Sequence, residues 1–99
     1  ERAGYTFASN EYILDFYLKE PTSLYRFDIR EDLRSSQRVE EFEVWVRADG
    51  KWKLIGDSTV IGNRRILMFE NAPVCDVVRV VIKQSRSVPV IRCVELYSR

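Results

Sequence analysis

Val39-Glu40-Glu41-Phe42-Glu43-Val44-Trp45-Val46-Arg47-Ala48-Asp49-Gly50-Lys51-Trp52-Lys53-Leu54-Ile55 is the stretch that decides the fold class. Phe42, Val44 and Val46 recur at every second residue with Glu41, Glu43 and Trp45 between them, so an extended chain sets the apolar side chains on one face. Asp49-Gly50 is the dipeptide that suits a two-residue hairpin, because both central positions of that turn need positive φ. Lys51 to Ile55 then returns as a second strand. Helical spacing is hard to find here or elsewhere in the chain.

The same period of two extends outward from this hairpin. Tyr25, Phe27 and Ile29 alternate with Arg26, Asp28 and Arg30 over Leu24 to Arg30. Tyr12 to Leu18 forms a strand before it, and Glu20-Pro21-Thr22 separates the two because proline has no N–H for a ladder. Downstream, Arg64 to Phe69, Val77 to Lys83 and Pro89 to Tyr97 read as strands between turn-forming segments. Val77 to Lys83 carries valine on both faces, as a strand covered on two sides does. About seven short strands without a helix predict an all-β, antiparallel β-sandwich. Trp52 reads as a core residue, since Trp brings a large apolar area to such a sandwich.

Ninety-nine residues bound one domain, with 45% hydrophobic residues to fill its core and 31% charged residues to cover it. Residues 1–10 have a weak pattern and read as a lead-in segment; residues 11–99 read as the domain. Sixteen Lys and Arg against fifteen Asp and Glu leave a net charge of +1, which gives no electrostatic reason to expect nucleic acid or an anionic membrane as partner. No apolar run approaches the roughly 20 residues of a membrane span. Histidine is absent, and there is no Cys-x-x-Cys and no Gly-rich phosphate loop. These absences argue against a zinc site, a Ser-His or Cys-His nucleophile and any cofactor, and so against an enzyme in its own right.

Cys75 and Cys93 permit one disulfide at most. If Val77 to Lys83 and Pro89 to Tyr97 form a hairpin about Ser85, Cys75 faces a position near Leu96. That register disfavours a bridge, because bridged Cα atoms lie within about 7 Å.

Successive strands that reverse direction bring alternate loops to one end of a sandwich. Glu31 to Arg38, Asp57 to Asn63 and Gln84 to Val88 form one such set; Lys19 to Thr22, Ala48 to Gly50 and Glu70 to Cys75 form the other. The first set gathers Glu31, Gln37, Arg38, Asn63, Arg64, Arg65 and Arg86, with Asp32 and Asp57 among them. Guanidinium, carboxylate and carboxamide groups hold the hydroxyl pairs of a sugar in planar, bidentate fashion, so this mixture suits a polyol better than a phosphate. The same residues also serve to staple neighbouring loops: Glu31 with Arg38 or Arg65 has the makings of a buried pair.

Glu31-Asp32-Leu33-Arg34-Ser35-Ser36-Gln37-Arg38-Val39, then Gly50-Lys51-Trp52, then Thr59-Val60-Ile61-Gly62-Asn63-Arg64-Arg65 resemble, in order and spacing, the C-terminal module of the alpha-L-fucosidases of glycoside hydrolase family 29. The likeness covers Leu14 to about Tyr97. Ser36 stands where that family usually has Gly, and Arg64 where it usually has Lys. The module is similar to the discoidin or factor 5/8 type C fold, a galactose-binding-domain-like jelly roll also found in family 32 carbohydrate-binding modules. The resemblance implies a non-catalytic, carbohydrate-binding-like accessory domain that packs on the catalytic barrel of the same polypeptide and takes glycans of the fucose or galactose type. It implies an extracytoplasmic setting, whether secreted, periplasmic or lysosomal. It implies an N-terminal truncation as well, since such modules carry strands ahead of the segment at Tyr12 to Phe16. Glu31, Gln37, Arg38 and Arg65 match the motif. A purely structural or protein-interaction sandwich is the alternative function.

Overall fold

The computed structural model describes residues 2–9, 12–32 and 38–98, in seven strands: β1 (Tyr5–Ser9), β2 (Ile13–Glu31), β3 (Val39–Ala48), β4 (Lys51–Ser58), β5 (Arg65–Met68), β6 (Val74–Ser85) and β7 (Ile91–Ser98). All pairings between them are antiparallel.

Strand β2 organises the fold. Nineteen extended residues would span about 60 Å if straight, whereas the longest dimension of the molecule is 36 Å, so the strand must bend. It does so around Pro21, where its pairing with β6 slips between Tyr17 and Thr22. Before the bend β2 lies between β1 and β6; after it, between β5 and β7. One strand thereby belongs to both layers, β1-β2-β6-β3-β4 and β5-β2-β7, which is how strands turn the corners of a sandwich. The break expected at Glu20-Pro21-Thr22 is this corner, and the two strands expected on either side of it are one.

The core lies between the layers. Leu14 and Phe16 from β2, Phe42, Val44 and Val46 from β3, and Val78, Val80 and Ile82 from β6 face Phe27 and Ile29 from the second half of β2 and Val94 and Leu96 from β7, all buried. The alternation in β3 is as expected. In β2 it is interrupted: Leu24 pairs with Ser98 and Arg26 with Tyr97, leaving Tyr25 as a bulge residue. Leu24 is therefore buried and Tyr25 exposed, the reverse of an unbroken period of two.

Two expectations are corrected. Strand β7 does not form a hairpin with β6; it crosses to the other layer and pairs with β2. Cys75 and Cys93 thus sit in different sheets, and both are free thiols. Trp52 is not in the core: it is 39% exposed. The Asp49-Gly50 turn, with φ of 51° and 74°, makes Ala48 pair with Lys51 and Arg47 with Trp52. Arg47 lies on the face opposite Val46, so its partner is carried outward with it.

Candidate functional site

The carboxylate of Glu31 is the junction of the loop end. Glu31 continues the inward period of Phe27 and Ile29 and is 3% exposed. Its Oε1 accepts the N–H groups of Arg38 and Val39, each at 2.9 Å, and its Oε2 accepts the N–H of Gly62 at 3.2 Å. In return the N–H of Glu31 bonds the carbonyl of Gly62 at 3.2 Å. Gly62 has φ of 62°, a conformation that a side chain opposes. A buried charge needs strong partners, and three main-chain N–H dipoles supply them here. The expected partner, Arg38 or Arg65, is corrected: Glu31 binds backbone rather than a guanidinium, and it does not face solvent.

A third loop joins the other two through main-chain bonds. The carbonyl of Arg38 accepts the N–H of Arg86 at 2.9 Å and the hydroxyl of Ser85 at 3.1 Å; the N–H of Asp32 reaches the carbonyl of Val90 at 2.8 Å. Nη1 of Arg38 donates to the carbonyl of Val88 at 2.8 Å. The loops after β2, β4 and β6 therefore meet at one end of the sandwich.

The candidate side chains divide into groups. Arg38 and Arg86 stand together, with Arg86 reaching towards Glu40 at 3.7 Å. Asn63 and Arg65 are exposed beyond Gly62. Arg64 lies on the outer face of the three-stranded layer, where its Nη2 donates to Asp28 at 2.7 Å. Gln37 lies outside the described residues.

Asp28 was not among the expected site residues, yet it is 1% exposed and takes a bidentate pair from Arg26 at 2.7 and 2.9 Å besides the bond from Arg64. The hydrogen bonds from Arg26, then that from Arg64, hold its carboxyl below the usual value against the opposing effect of burial. Its place in β2 between Arg26 and Arg30 gave only the polar phase, not the burial.

The outer face of the five-stranded layer forms a second organised surface. Register sets Tyr17, Val77, Arg47 and Trp52 in one row and Asp15, Arg79, Trp45 and Leu54 in the next. Arg79 forks onto Asp15 at 2.7 and 2.9 Å while its guanidinium lies 4.2 Å from the centre of the Trp52 ring. Arg47 forks onto Asp76 at 3.1 and 2.9 Å, and Trp45 donates to Glu43 at 3.1 Å. Val77, though on this outer face, is only 2% exposed.

No family model matches the chain. It is 30% identical over 90 residues, 89% of its length, to alpha-L-fucosidase 1 of Arabidopsis thaliana. Over 95% of its length it superposes with a TM-score of 0.87 and 25% identity on a glycoside hydrolase 29 family member from an unknown rumen bacterium. It covers 88% of its own length and 69% of the family 32 carbohydrate-binding module of Streptococcus pneumoniae EndoD, at a TM-score of 0.72 and 15% identity, a likeness of fold. The chain spans 18% of the Arabidopsis protein and 18% of the rumen protein. No helix among the described residues is long and apolar enough to cross a membrane.

Proposed function

We propose that this chain, a relative of one segment of the family 29 alpha-L-fucosidases with a galactose-binding-like jelly-roll fold, is a non-catalytic accessory domain of a fucosidase-like glycoside hydrolase that holds glycan at its loop end. The observation that supports this reading most is the junction at Glu31. One buried carboxylate fixes the main chain of two loops, and the third is bonded to Arg38. Arg38, Asn63, Arg65 and Arg86 project from a base that does not have to be ordered when a ligand arrives, which lowers the entropic cost of binding, while Arg64 is turned to Asp28. Asn63, Arg65 and Arg86 are exposed to solvent, so binding to one sugar unit is weak. Its use lies in raising the local concentration of glycan near a catalytic barrel of the same polypeptide. Hydrolysis by a pair of carboxyl groups would belong to that barrel, and an extracytoplasmic setting goes with such substrates.

Titration of the isotope-labelled domain with L-fucose and galactose tests this. Amide shifts should be confined to Arg38, Asn63 to Arg65 and Arg86. A flat titration at high millimolar sugar, neutral and acidic alike, rejects glycan binding.

A second reading, a structural module that binds only protein, is favoured by the outer face of the five-stranded layer. Tyr17, Trp52 and Leu54 are exposed there at 41%, 39% and 41%, beside guanidiniums whose charges are already paired. Trp, Tyr and Arg are the residues that dominate protein interfaces. In a protein that joins this domain to its barrel, Trp52→Ala and Tyr17→Ala should then loosen the domain against limited proteolysis, with no change in glycan binding.

A further inference from the structure

At the loop end the fold withdraws the Glu31 carboxylate and leaves two guanidiniums without a carboxylate partner among the described residues. Glu31 is buried there with both oxygens on main-chain N–H groups, while away from it, on the outer face of the three-stranded layer, Asp28 is buried under Arg26 and Arg64. The guanidiniums are in the opposite condition. Arg65 is exposed and makes no hydrogen bond or ion pair among the described residues. Arg38 uses one nitrogen, on a neutral carbonyl. The side chain of Arg86 is 70% exposed and 3.7 Å from Glu40, outside hydrogen-bond reach. Among the described residues Glu40 is paired with Arg86, Asp57 is exposed and Asp32 is half-buried, so the guanidiniums without a carboxylate partner are those of Arg38 and Arg65.

Folding thus takes Glu31 out of the mixture that suits a neutral polyol and leaves Arg38 and Arg65 without a carboxylate among the described residues. A sugar hydroxyl needs an acceptor for its proton as well as a donor. A sulfate ester or a uronate carboxylate is acceptor-only, and guanidinium forks match it in pairs. We infer that the loop end selects an anionic glycan, one that carries a sulfate ester or a uronate carboxylate, through Arg38 and Arg65 with Arg86 beside them. This rests on the loop end being a glycan site at all.

The test compares four probes on the labelled chain at constant ionic strength: galactose, galactose 6-sulfate, galacturonate and sodium sulfate. The two anionic sugars should bind with a Kd at least about tenfold below that of galactose, the worth of one added charge-assisted contact, and should shift the Arg38 and Arg65 signals. Arg65→Gln, at an exposed side chain with no bonds to lose, should abolish most of that preference, and Arg65→Lys should restore only part of it because the fork is lost. Raising salt should weaken the anionic sugars and leave galactose unchanged. Equal or tighter binding of galactose overturns the anionic preference while the glycan reading stands. Silence from all three sugars overturns both. Sodium sulfate binding as tightly as galactose 6-sulfate also overturns the proposal, because the rim would then be an anion site indifferent to sugar.

Discussion

Glu31 and Gly62 hold each other twice: the N–H of Glu31 bonds the Gly62 carbonyl at 3.2 Å, and the N–H of Gly62 bonds the Glu31 carboxylate at 3.2 Å. Two residues from different loops are clamped at one point, and Arg38 and Val39 from a nearby segment bond the same carboxylate. Any glycan held by Arg38 and Arg65 would be read by side chains that radiate from this clamp.

Glu31→Gln should therefore cost far more than a change on a polar surface loop. The amide keeps one acceptor oxygen but turns an NH2 towards either Gly62 or the Arg38 and Val39 N–H groups, donor against donor, in a buried place. The loss should be about 3 kcal/mol. Urea denaturation of the variant reads it, and amide shifts at Arg38, Val39 and Gly62 should accompany it. A loss under about 0.5 kcal/mol, ordinary for a surface site, would remove the clamp from the account.

Asp28 gives the fold an acid-sensitive contribution. Its folded carboxyl lies below the value of about 4 that the unfolded chain has. The stability from its bonds to Arg26 and Arg64 is complete above that value and is lost as pH falls through the lower, folded value. Asp28→Asn should be less stable than the parent chain by about 2 kcal/mol at neutral pH, and the gap should close as pH drops below about 4. Denaturation midpoints of the two proteins across that range check the sign: a gap that widens in acid contradicts it.

Trp52 should be a minor contributor to stability despite its size. It is 39% exposed, and its described specific contact is the Arg79 guanidinium 4.2 Å from its ring centre. Trp52→Ala should cost about 1 kcal/mol, against about 3 to 5 kcal/mol for Phe42→Ala in the core. Thermal denaturation of the two variants side by side decides it. Equal losses would place Trp52 in the core after all.

The error over Trp52 shows what local sequence carries and what it does not. Asp49-Gly50 specifies a two-residue turn, and that turn makes Arg47 the partner of Trp52; the outward position was legible once register was followed through the turn. Glu31 was legible in the same way, as the next step of the Phe27 and Ile29 period, although its backbone partners were not. The alternation of strand direction was enough to gather the loops of Arg38, Gly62 and Arg86 at one end. The single bent strand β2 and the crossing of β7 to its far half were not legible. Pro21 has the same local meaning at a corner as at a strand end, and no local pattern says whether β7 pairs with β6 or with the far half of β2, where Leu24 meets Ser98 and Glu31 meets Ile91. Tyr5–Ser9, inside the expected lead-in segment, is the edge strand β1: Tyr5 and Phe7 share one face and pack on Phe16, although Phe7 is 54% exposed.

The two cysteines report on the burial of β6 and on their own separation. Cys75 is 2% exposed, its Sγ donates to the Thr22 carbonyl at 3.3 Å, and burial, aided by Asp76, pushes its thiol up to about 11. At pH 8 only about a thousandth of it is thiolate, the form that reacts. Iodoacetamide on the folded chain should modify Cys75 only at the rate at which its strand opens, while both cysteines should react at once in guanidinium without any reductant. If Cys75 and Cys93 were instead bridged, the protein would leave nothing to alkylate in denaturant until it was reduced. Two equivalents taken up in denaturant alone require Cys75 and Cys93 to be separate thiols, as their places in opposite sheets dictate.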